Sequence, residues 1–200
     1  TYQEMIFEIA ELPYKKQKIS INLTEDSKKF AENYLKENNL QNKKILGLNI
    51  GSSSRWPSKS WHIDRIKEFI PKAKQKGYEI LLLGGPNEVE LFDNLKTEMK
   101  SNGINIYGQN TNNSLNNFFA LVNTCDKVVC ADTMALHVAL GLNKPVISLF
   151  FCNSPWEIED YNLSKKLISP MLEEYFPEKM DQYNEDLVKS ISSEEVVNYL

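Results

Sequence analysis

Residues 128–150, VVCADTMALHVALGLNKPVISLF, give the clearest indication of the fold of this chain. A short apolar run ends at the polar pair Asp132 and Thr133, a run with helical spacing follows, and a second apolar run comes after Pro145. This order predicts a buried strand, a helix and another buried strand, which is the repeating unit of a parallel sheet. The N–H groups that open the helix, from Thr133 to Ala135, are expected to face solvent and to suit a phosphate.

The same alternation continues along most of the chain. Apolar segments predict five strands, at residues 45–50, 79–83, 104–107, 127–130 and 145–150. Helical spacing and capping residues predict helices between them, at residues 24–38, 62–76, 88–101, 114–123 and 133–141. Strands that alternate with helices predict an α/β fold, a Rossmann-like parallel sheet sandwiched by helices. Residues 153–187 show no regular pattern, and a helical tail is predicted from Ser193.

Composition limits the classes of function. The 200 residues carry a net charge of −4, which argues against a nucleic-acid partner. Cys125, Cys130 and Cys152 have no CxxC spacing and lie in or near apolar segments, so they are expected to be reduced thiols of the core. Reduced thiols indicate a cytoplasmic location, and in addition the apolar runs are too short for a membrane span and no signal peptide is visible.

The loop after the first predicted strand, GSSSRWPSKSW at residues 51–61, has the composition of a phosphate site. The hydroxyls of Ser52 and Ser53 and the ammonium of Lys59 are expected to bind phosphate oxygens without a metal ion. The alternative is a solvated serine-rich turn whose tryptophans pack on the core. The loop is not a Walker A motif and no GxGxxG follows any strand, which disfavours ATPase and dinucleotide functions.

Polar residues also follow two other predicted strands. In GGPNEVE, Glu90 or Glu88 either binds ribose hydroxyls or complements the start of the next helix. Asp132 and Thr133 are expected to meet phosphate or sugar hydroxyls, and His137 lies one helical turn beyond Thr133. His137 alone is also compatible with a purely structural histidine.

Together, GSSSRWPSKSW, LLLGGPNEVE and DTMALHVALGLNKPVISLF resemble the C-terminal half of the family 9 glycosyltransferases, the ADP-heptose:lipopolysaccharide heptosyltransferases. The resemblance runs from about Lys44 to the C-terminus. It implies a GT-B architecture, in which two Rossmann-like domains face a cleft and the C-terminal one holds the nucleotide-sugar donor. We therefore expect an interdomain lead-in segment and first helix at residues 1–43, and a donor-binding domain with a helical tail at residues 44–200.

The resemblance also implies roles for individual residues. Those matched to donor phosphate and sugar binding are Ser52, Ser53, Lys59, Asp132, Thr133 and His137. Glu90, and less closely Glu88, match the acidic residue that contacts the nucleotide ribose. Met134 departs from the pattern, because the family signature has glycine there. A side chain at this position predicts either a changed donor preference or weaker donor binding.

The activity implied by the resemblance is inverting transfer of heptose from an ADP-sugar, with no metal or cofactor, to the inner core of lipopolysaccharide. A carboxylate base in the N-terminal domain would deprotonate the acceptor hydroxyl. Because this sequence matches only the other domain, we expect it to bind the donor without turnover. The full protein is expected to act in the cytoplasm. Its acceptor is a lipid, so a peripheral association with the inner face of the inner membrane is compatible with this activity.

Two alternatives remain open at this point. Met134 is compatible with a non-catalytic nucleotide-binding or assembly module. A GT-B-like sugar-nucleotide epimerase would need carboxylates and histidines together at the cleft, and this sequence has only His62 and His137.

Overall fold

A computed structural model describes residues 1–51, 55–108 and 114–200 of the chain. Within them lies one parallel sheet of six strands, ordered β3-β2-β1-β4-β5-β6. The strands are β1 (Lys44–Asn49), β2 (Tyr78–Leu83), β3 (Tyr107–Gly108), β4 (Lys127–Ala131), β5 (Val146–Phe150) and β6 (Ser164–Ile168). The helices are α1 (Tyr2–Ile9), α2 (Glu25–Glu37), α3 (Ile63–Gln75), α4 (Val89–Ser101), α5 (Leu115–Thr124), α6 (Met134–Gly141), α7 (Leu172–Tyr175), α8 (Glu185–Lys189) and α9 (Ser193–Val197).

The sheet is buried on both faces because successive apolar residues of its central strands point to opposite sides. In β1, Leu46 and Leu48 pack with residues of α3, α4 and α9. Ile45 packs on the other face with residues of α2, α5 and α6. In β5 all five residues are buried. Continuous apolar strands between two helical layers are typical of parallel sheets, and the predicted Rossmann-like α/β fold is confirmed.

Two strands differ from the sequence prediction. β3 comprises Tyr107 and Gly108, not residues 104–107. β6 lies within residues 153–187, where no regular pattern was predicted, and it pairs in parallel with β5. Only Leu167 of β6 is buried, since this strand forms the edge of the sheet. An edge strand does not need a continuous apolar run, so its sequence carries no strong signal.

Helix starts follow the capping rules in most cases. Thr24 and Ser114 each accept a hydrogen bond from a backbone N–H in the first turn of their helices, at 3.2 Å. The Nδ1 atom of His62 accepts from the backbone N–H of Asp64 in the same way at the start of α3, also at 3.2 Å. The start of α6 is different: Thr133 occupies the N-cap position, but no side chain in the described ranges caps the helix there.

The segment between α1 and α2 packs against the far end of α6. The backbone N–H of Ile21 donates to the carbonyl oxygen of Gly141 at 3.1 Å. A Cβ atom on Gly141 would come within 2.9 Å of the Ile21 side chain. Glycine at position 141 therefore allows this close approach.

The cysteines and one tryptophan of the first loop belong to the core. Cys125, Cys130 and Cys152 are free and buried, as predicted. Burial raises the pKa of Cys125 to about 12 and that of Cys152 to about 11, so both remain thiols at neutral pH. Trp61 is buried, and its indole N–H donates to the carbonyl oxygen of Ile191 at 3.0 Å.

Among the described residues, no helix has the length and apolar character needed to cross a bilayer.

Candidate functional site

A cavity of about 540 Å³ opens at the carboxyl ends of three adjacent strands. Residues that follow β1, β2 and β4 line it, and the start of α6 forms one wall. The lining residues are Asn49, Gly51, Lys59, Gly84, Gly85, Asn87, Glu88, Phe118, Asp132, Thr133, Met134, Ala135 and His137. In parallel α/β sheets this edge is where ligands bind, so the cavity is the candidate site.

Lys59 and Asp132 meet in this cavity. The Nζ atom of Lys59 lies 2.9 Å from Oδ2 of Asp132, and each side chain is 16% exposed. Lys59 ends a 3₁₀ turn, Pro57–Lys59, whereas Asp132 directly follows β4. Both residues are among those matched to donor binding in the sequence, and the structure brings their side chains together.

The Asp132 carboxylate is held in its ionised form. Burial acts to raise its pKa, but a hydrogen bond from His137 and the charge of Lys59 outweigh burial and lower it below the ordinary value. The Nε2 atom of His137 lies 3.4 Å from Oδ1. Asp132 therefore carries a negative charge at neutral pH and can act only as a hydrogen-bond acceptor.

Asn153 is a third partner of Asp132 that the sequence analysis missed. Its Nδ2 atom donates to Oδ2 of Asp132 at 2.6 Å, and the side chain is only 5% exposed. Its Oδ1 atom is buried and has no hydrogen-bond partner among the described residues. The only sequence signal was a polar residue shortly after β5.

Asn49 is a second missed residue. The hydroxyl of Thr133 donates to Oδ1 of Asn49 at 2.9 Å, and Nδ2 of Asn49 donates to the carbonyl oxygen of Leu83, also at 2.9 Å. Asn49 lies on β1, which is between β2 and β4, so its side chain reaches both Leu83 of β2 and Thr133 in the loop after β4. A polar residue that ends an otherwise apolar strand was the available signal.

The structure separates the two carboxylates predicted to bind ribose. Glu88 lines the cavity, and its Oε2 atom accepts from the backbone N–H of Gly85 at 2.7 Å. A Cβ atom on Gly51 would overlap the Glu88 carboxyl group, so glycine leaves room for it. Glu90 is exposed and does not line the cavity. Of the two, Glu88 is the one that lines the cavity, and the ribose role of either residue stays a prediction.

Ser52 and Ser53 lie outside the described residues, so their role stays a prediction. Met134, the first residue of α6, is 50% exposed and lines the cavity. His137 lies one turn along the same helix and also lines it. His62 is not part of this wall, because it caps α3.

The arrangement combines one cation, backbone N–H groups at a helix start and two carboxylates. Lys59 and the start of α6 can attract an anion. Asp132 and Glu88 can accept hydrogen bonds from hydroxyl groups. A ligand that carries both phosphate and hydroxyl groups matches this set of donors and acceptors.

The sequence is similar to a known protein family and to curated heptosyltransferases. The model of the family "Glycosyltransferase family 9 (heptosyltransferase)" matches residues 1–188. Lipooligosaccharide heptosyltransferase 2 of Haemophilus influenzae is 28% identical over 113 residues, which are 54% of this chain and 30% of that protein. Lipopolysaccharide heptosyltransferase 2 of Escherichia coli is 27% identical over 113 residues, with the same two shares.

Solved structures show the same fold. The glycosyl transferase family 9 protein of Veillonella parvula superposes with a TM-score of 0.74 at 21% identity, over 90% of this chain and 51% of that chain. The ADP-heptose lipopolysaccharide heptosyltransferase II of Escherichia coli gives a TM-score of 0.71 at 20% identity, over 94% of this chain and 54% of that chain. This chain thus spans about half the length of these solved relatives. Because the family model matches nearly all of it, the chain belongs to glycosyltransferase family 9, the heptosyltransferase family.

Proposed function

We propose that this chain is the donor-binding half of a glycosyltransferase and that its cavity holds an ADP-sugar, with ADP-heptose as the preferred donor. Residues 44–200 form the donor-binding domain in this proposal, and residues 1–43 form the lead-in segment and first helix. The observation that carries the proposal is the Lys59–Asp132 ion pair beside the start of α6, which no side chain of the described residues caps.

The diphosphate binds at Lys59 and at the start of α6. An ammonium group has three N–H donors, and the ion pair with Asp132 occupies one of them. The others can donate to phosphate oxygens together with the backbone N–H groups of Met134 and Ala135. The hydroxyls of Ser52 and Ser53 are assigned to the same diphosphate. Charge-assisted hydrogen bonds of this kind are stronger than neutral ones.

The ribose binds near Glu88. One oxygen of its carboxylate is fixed by the Gly85 N–H, and the other remains able to accept from a ribose hydroxyl. The apolar side chains of Phe118 and Met134 line the same cavity. Glu88 therefore replaces Glu90 as the first candidate for ribose recognition.

The chemical contribution of this chain is stabilisation of the leaving group. As the bond between the sugar and the diphosphate breaks, negative charge builds up on the phosphate oxygen. Lys59, Met134 and Ala135 line the cavity before the donor binds, so their N–H groups can lower the barrier without a large reorganisation. His137, against Asp132, lies where it can contact the same phosphate or the sugar.

Deprotonation of the acceptor is assigned to another part of the enzyme. Asp132 and Glu88 are both engaged, with Lys59 and with Gly85 respectively, and neither is assigned as the base. We infer that the 200-residue chain binds donor without transferring sugar. In the whole protein the acceptor is the inner core of lipopolysaccharide, and the enzyme acts in the cytoplasm, peripherally at the inner membrane.

Calorimetric titration with ADP tests the proposal. Wild-type protein is expected to bind ADP, and Lys59→Ala to weaken binding about tenfold or more, as for loss of a charge-assisted contact. Lys67→Ala is a matched control, because Lys67 forms an ion pair with Glu98 outside the cavity. No binding by the wild type, or equal losses in both variants, would overturn the proposal.

Met134 supports a second candidate, a nucleotide-binding or assembly module without a catalytic role. Its half-exposed side chain occupies the start of α6 within the cavity. If Met134→Gly leaves ADP affinity unchanged and adds no affinity for ADP-heptose, the module is favoured. The epimerase alternative gains no support, since only one of the two histidines of the sequence lines the cavity.

A further inference from the structure

We propose that Asn49 is a positioning residue that orients the Thr133 hydroxyl in two ways. It makes that oxygen an acceptor for a hydroxyl group of the sugar nucleotide, and it keeps the hydroxyl away from the start of α6. This inference rests on the proposed function. It adds an assignment of Thr133 and Lys59 to different parts of the donor.

The carbonyl group of Leu83 determines the direction of the two hydrogen bonds that Asn49 makes. The carbonyl oxygen of Leu83 can only accept, so the atom of the Asn49 amide that faces it at 2.9 Å is the donor, Nδ2. The other amide atom, Oδ1, faces Thr133 Oγ1 at 2.9 Å and can only accept. The proton of the Thr133 hydroxyl therefore points to Asn49.

This direction decides what Thr133 can bind. With its proton given to Asn49, Oγ1 has only lone pairs left for a ligand. Ionised phosphate oxygens are also acceptors, so they gain no hydrogen bond from Oγ1. A sugar or ribose hydroxyl is a donor and does gain one. Thr133 thus recognises a hydroxyl of the donor, whereas Lys59 recognises the diphosphate.

The same contact leaves the start of α6 open. A threonine at the N-cap position usually accepts from the N–H groups of the first turn, as Thr24 does at α2. The hydrogen bond to Asn49 holds the Thr133 hydroxyl toward β1, and no other described side chain caps α6. The N–H groups of Met134 and Ala135 therefore stay available for phosphate.

Amide hydrogen exchange tests the positioning role without any ligand. In Asn49→Ala the freed hydroxyl of Thr133 is expected to cap α6 and to slow exchange at Ala135 by about fivefold. In the double variant Asn49→Ala with Thr133→Val there is no hydroxyl to turn, so no slowing is expected. Unchanged exchange in Asn49→Ala, or equal slowing in the double variant, would overturn the positioning role.

Titration of Thr133 variants tests the recognition role. We compare inorganic pyrophosphate, which has no sugar hydroxyl, with ADP-heptose. Thr133→Val is expected to lower affinity at least about fivefold more for ADP-heptose than for pyrophosphate, and Thr133→Ser, which keeps the hydroxyl, to retain nearly the wild-type affinity for ADP-heptose. Equal losses for both ligands would show that the hydroxyl serves the phosphate and would refute the inference. If the wild type binds neither ligand, the proposed function fails, whereas the exchange experiment still decides the role of Asn49.

Discussion

The ammonium of Lys59 contacts the carboxylate of Asp132 at 2.9 Å, although the two residues leave different strands of the sheet. Both side chains are largely withdrawn from water, and Asn153 donates to the same carboxylate oxygen. A partly buried ion pair is costly to form unless other hydrogen bonds support it. Asn153 supplies such a hydrogen bond, so the pair can be kept partly buried at the edge where ligands bind.

Asp132 should make stability depend on pH. Its folded pKa is lowered, so its contribution is fully present above the unfolded value of about 3.9 and is lost as pH falls through the folded pKa. Asp132→Asn is expected to cost about 1–3 kcal/mol of unfolding free energy at pH 7, and less below pH ~4. Urea unfolding across this range measures the difference. A pH-independent difference would show that Asp132 is not held as a carboxylate.

Asn153→Asp should place a second carboxylate beside Asp132 Oδ2. Burial and the neighbouring charge raise the folded pKa of the new group, so the penalty grows as pH rises from the unfolded value of about 3.9 and is complete above the raised folded pKa. We expect a loss of about 3 kcal/mol or more at pH 7, and clearly less near pH ~4. Asn153→Ala, which adds no charge, is the control and should show much weaker pH dependence in the same unfolding experiment.

Gly51→Ala should displace the Glu88 carboxylate, because the added Cβ would overlap it. Loss of the bond to the Gly85 N–H is expected to cost about 1 kcal/mol. Gly85→Ala is the control. Its added Cβ would lie 3.4 Å from Glu88 Oε2, which is an ordinary contact, so the Glu88 carboxylate should stay in place and the loss of unfolding free energy should be smaller. Combining Gly51→Ala with Glu88→Ala should give a smaller loss than the sum of the single variants, and full additivity would contradict the contact.

Gly141→Ala should loosen the segment that precedes α2. The new Cβ would approach the Ile21 side chain to 2.9 Å, while the Ile21 N–H donates to the Gly141 carbonyl. Faster amide exchange at Ile21 is therefore expected. Adding Ile21→Ala removes the crowding atoms, so amide exchange at residue 21 is expected to be slower in the double variant than in Gly141→Ala. Equally fast exchange in the two variants would argue against crowding as the cause.

Much of the fold could be predicted from the chain because its central strands are continuous apolar runs separated by helices. β1, β2, β4 and β5 follow this rule. β6 could not be predicted, since an edge strand with Lys165 and Lys166 has no apolar pattern. Its position is set by pairing with β5, which is a long-range property.

The candidate site divides in the same way. Lys59, Asp132 and Glu88 could be predicted to lie together because loops after parallel strands meet at one edge. Asn49 and Asn153 could not, because each is a single polar residue whose partner lies on another strand or loop. Such residues show their role only through the hydrogen bonds they form.

A crystal structure of this chain grown with ADP would show whether the cavity is the donor site. We expect ADP in the cavity, with a phosphate oxygen within hydrogen-bond distance of Lys59 Nζ and of a backbone N–H at the start of α6, and with the ribose beside Glu88. ADP bound elsewhere, or bound in the cavity with its diphosphate turned away from Lys59, would overturn the assignment of this cavity as the donor site.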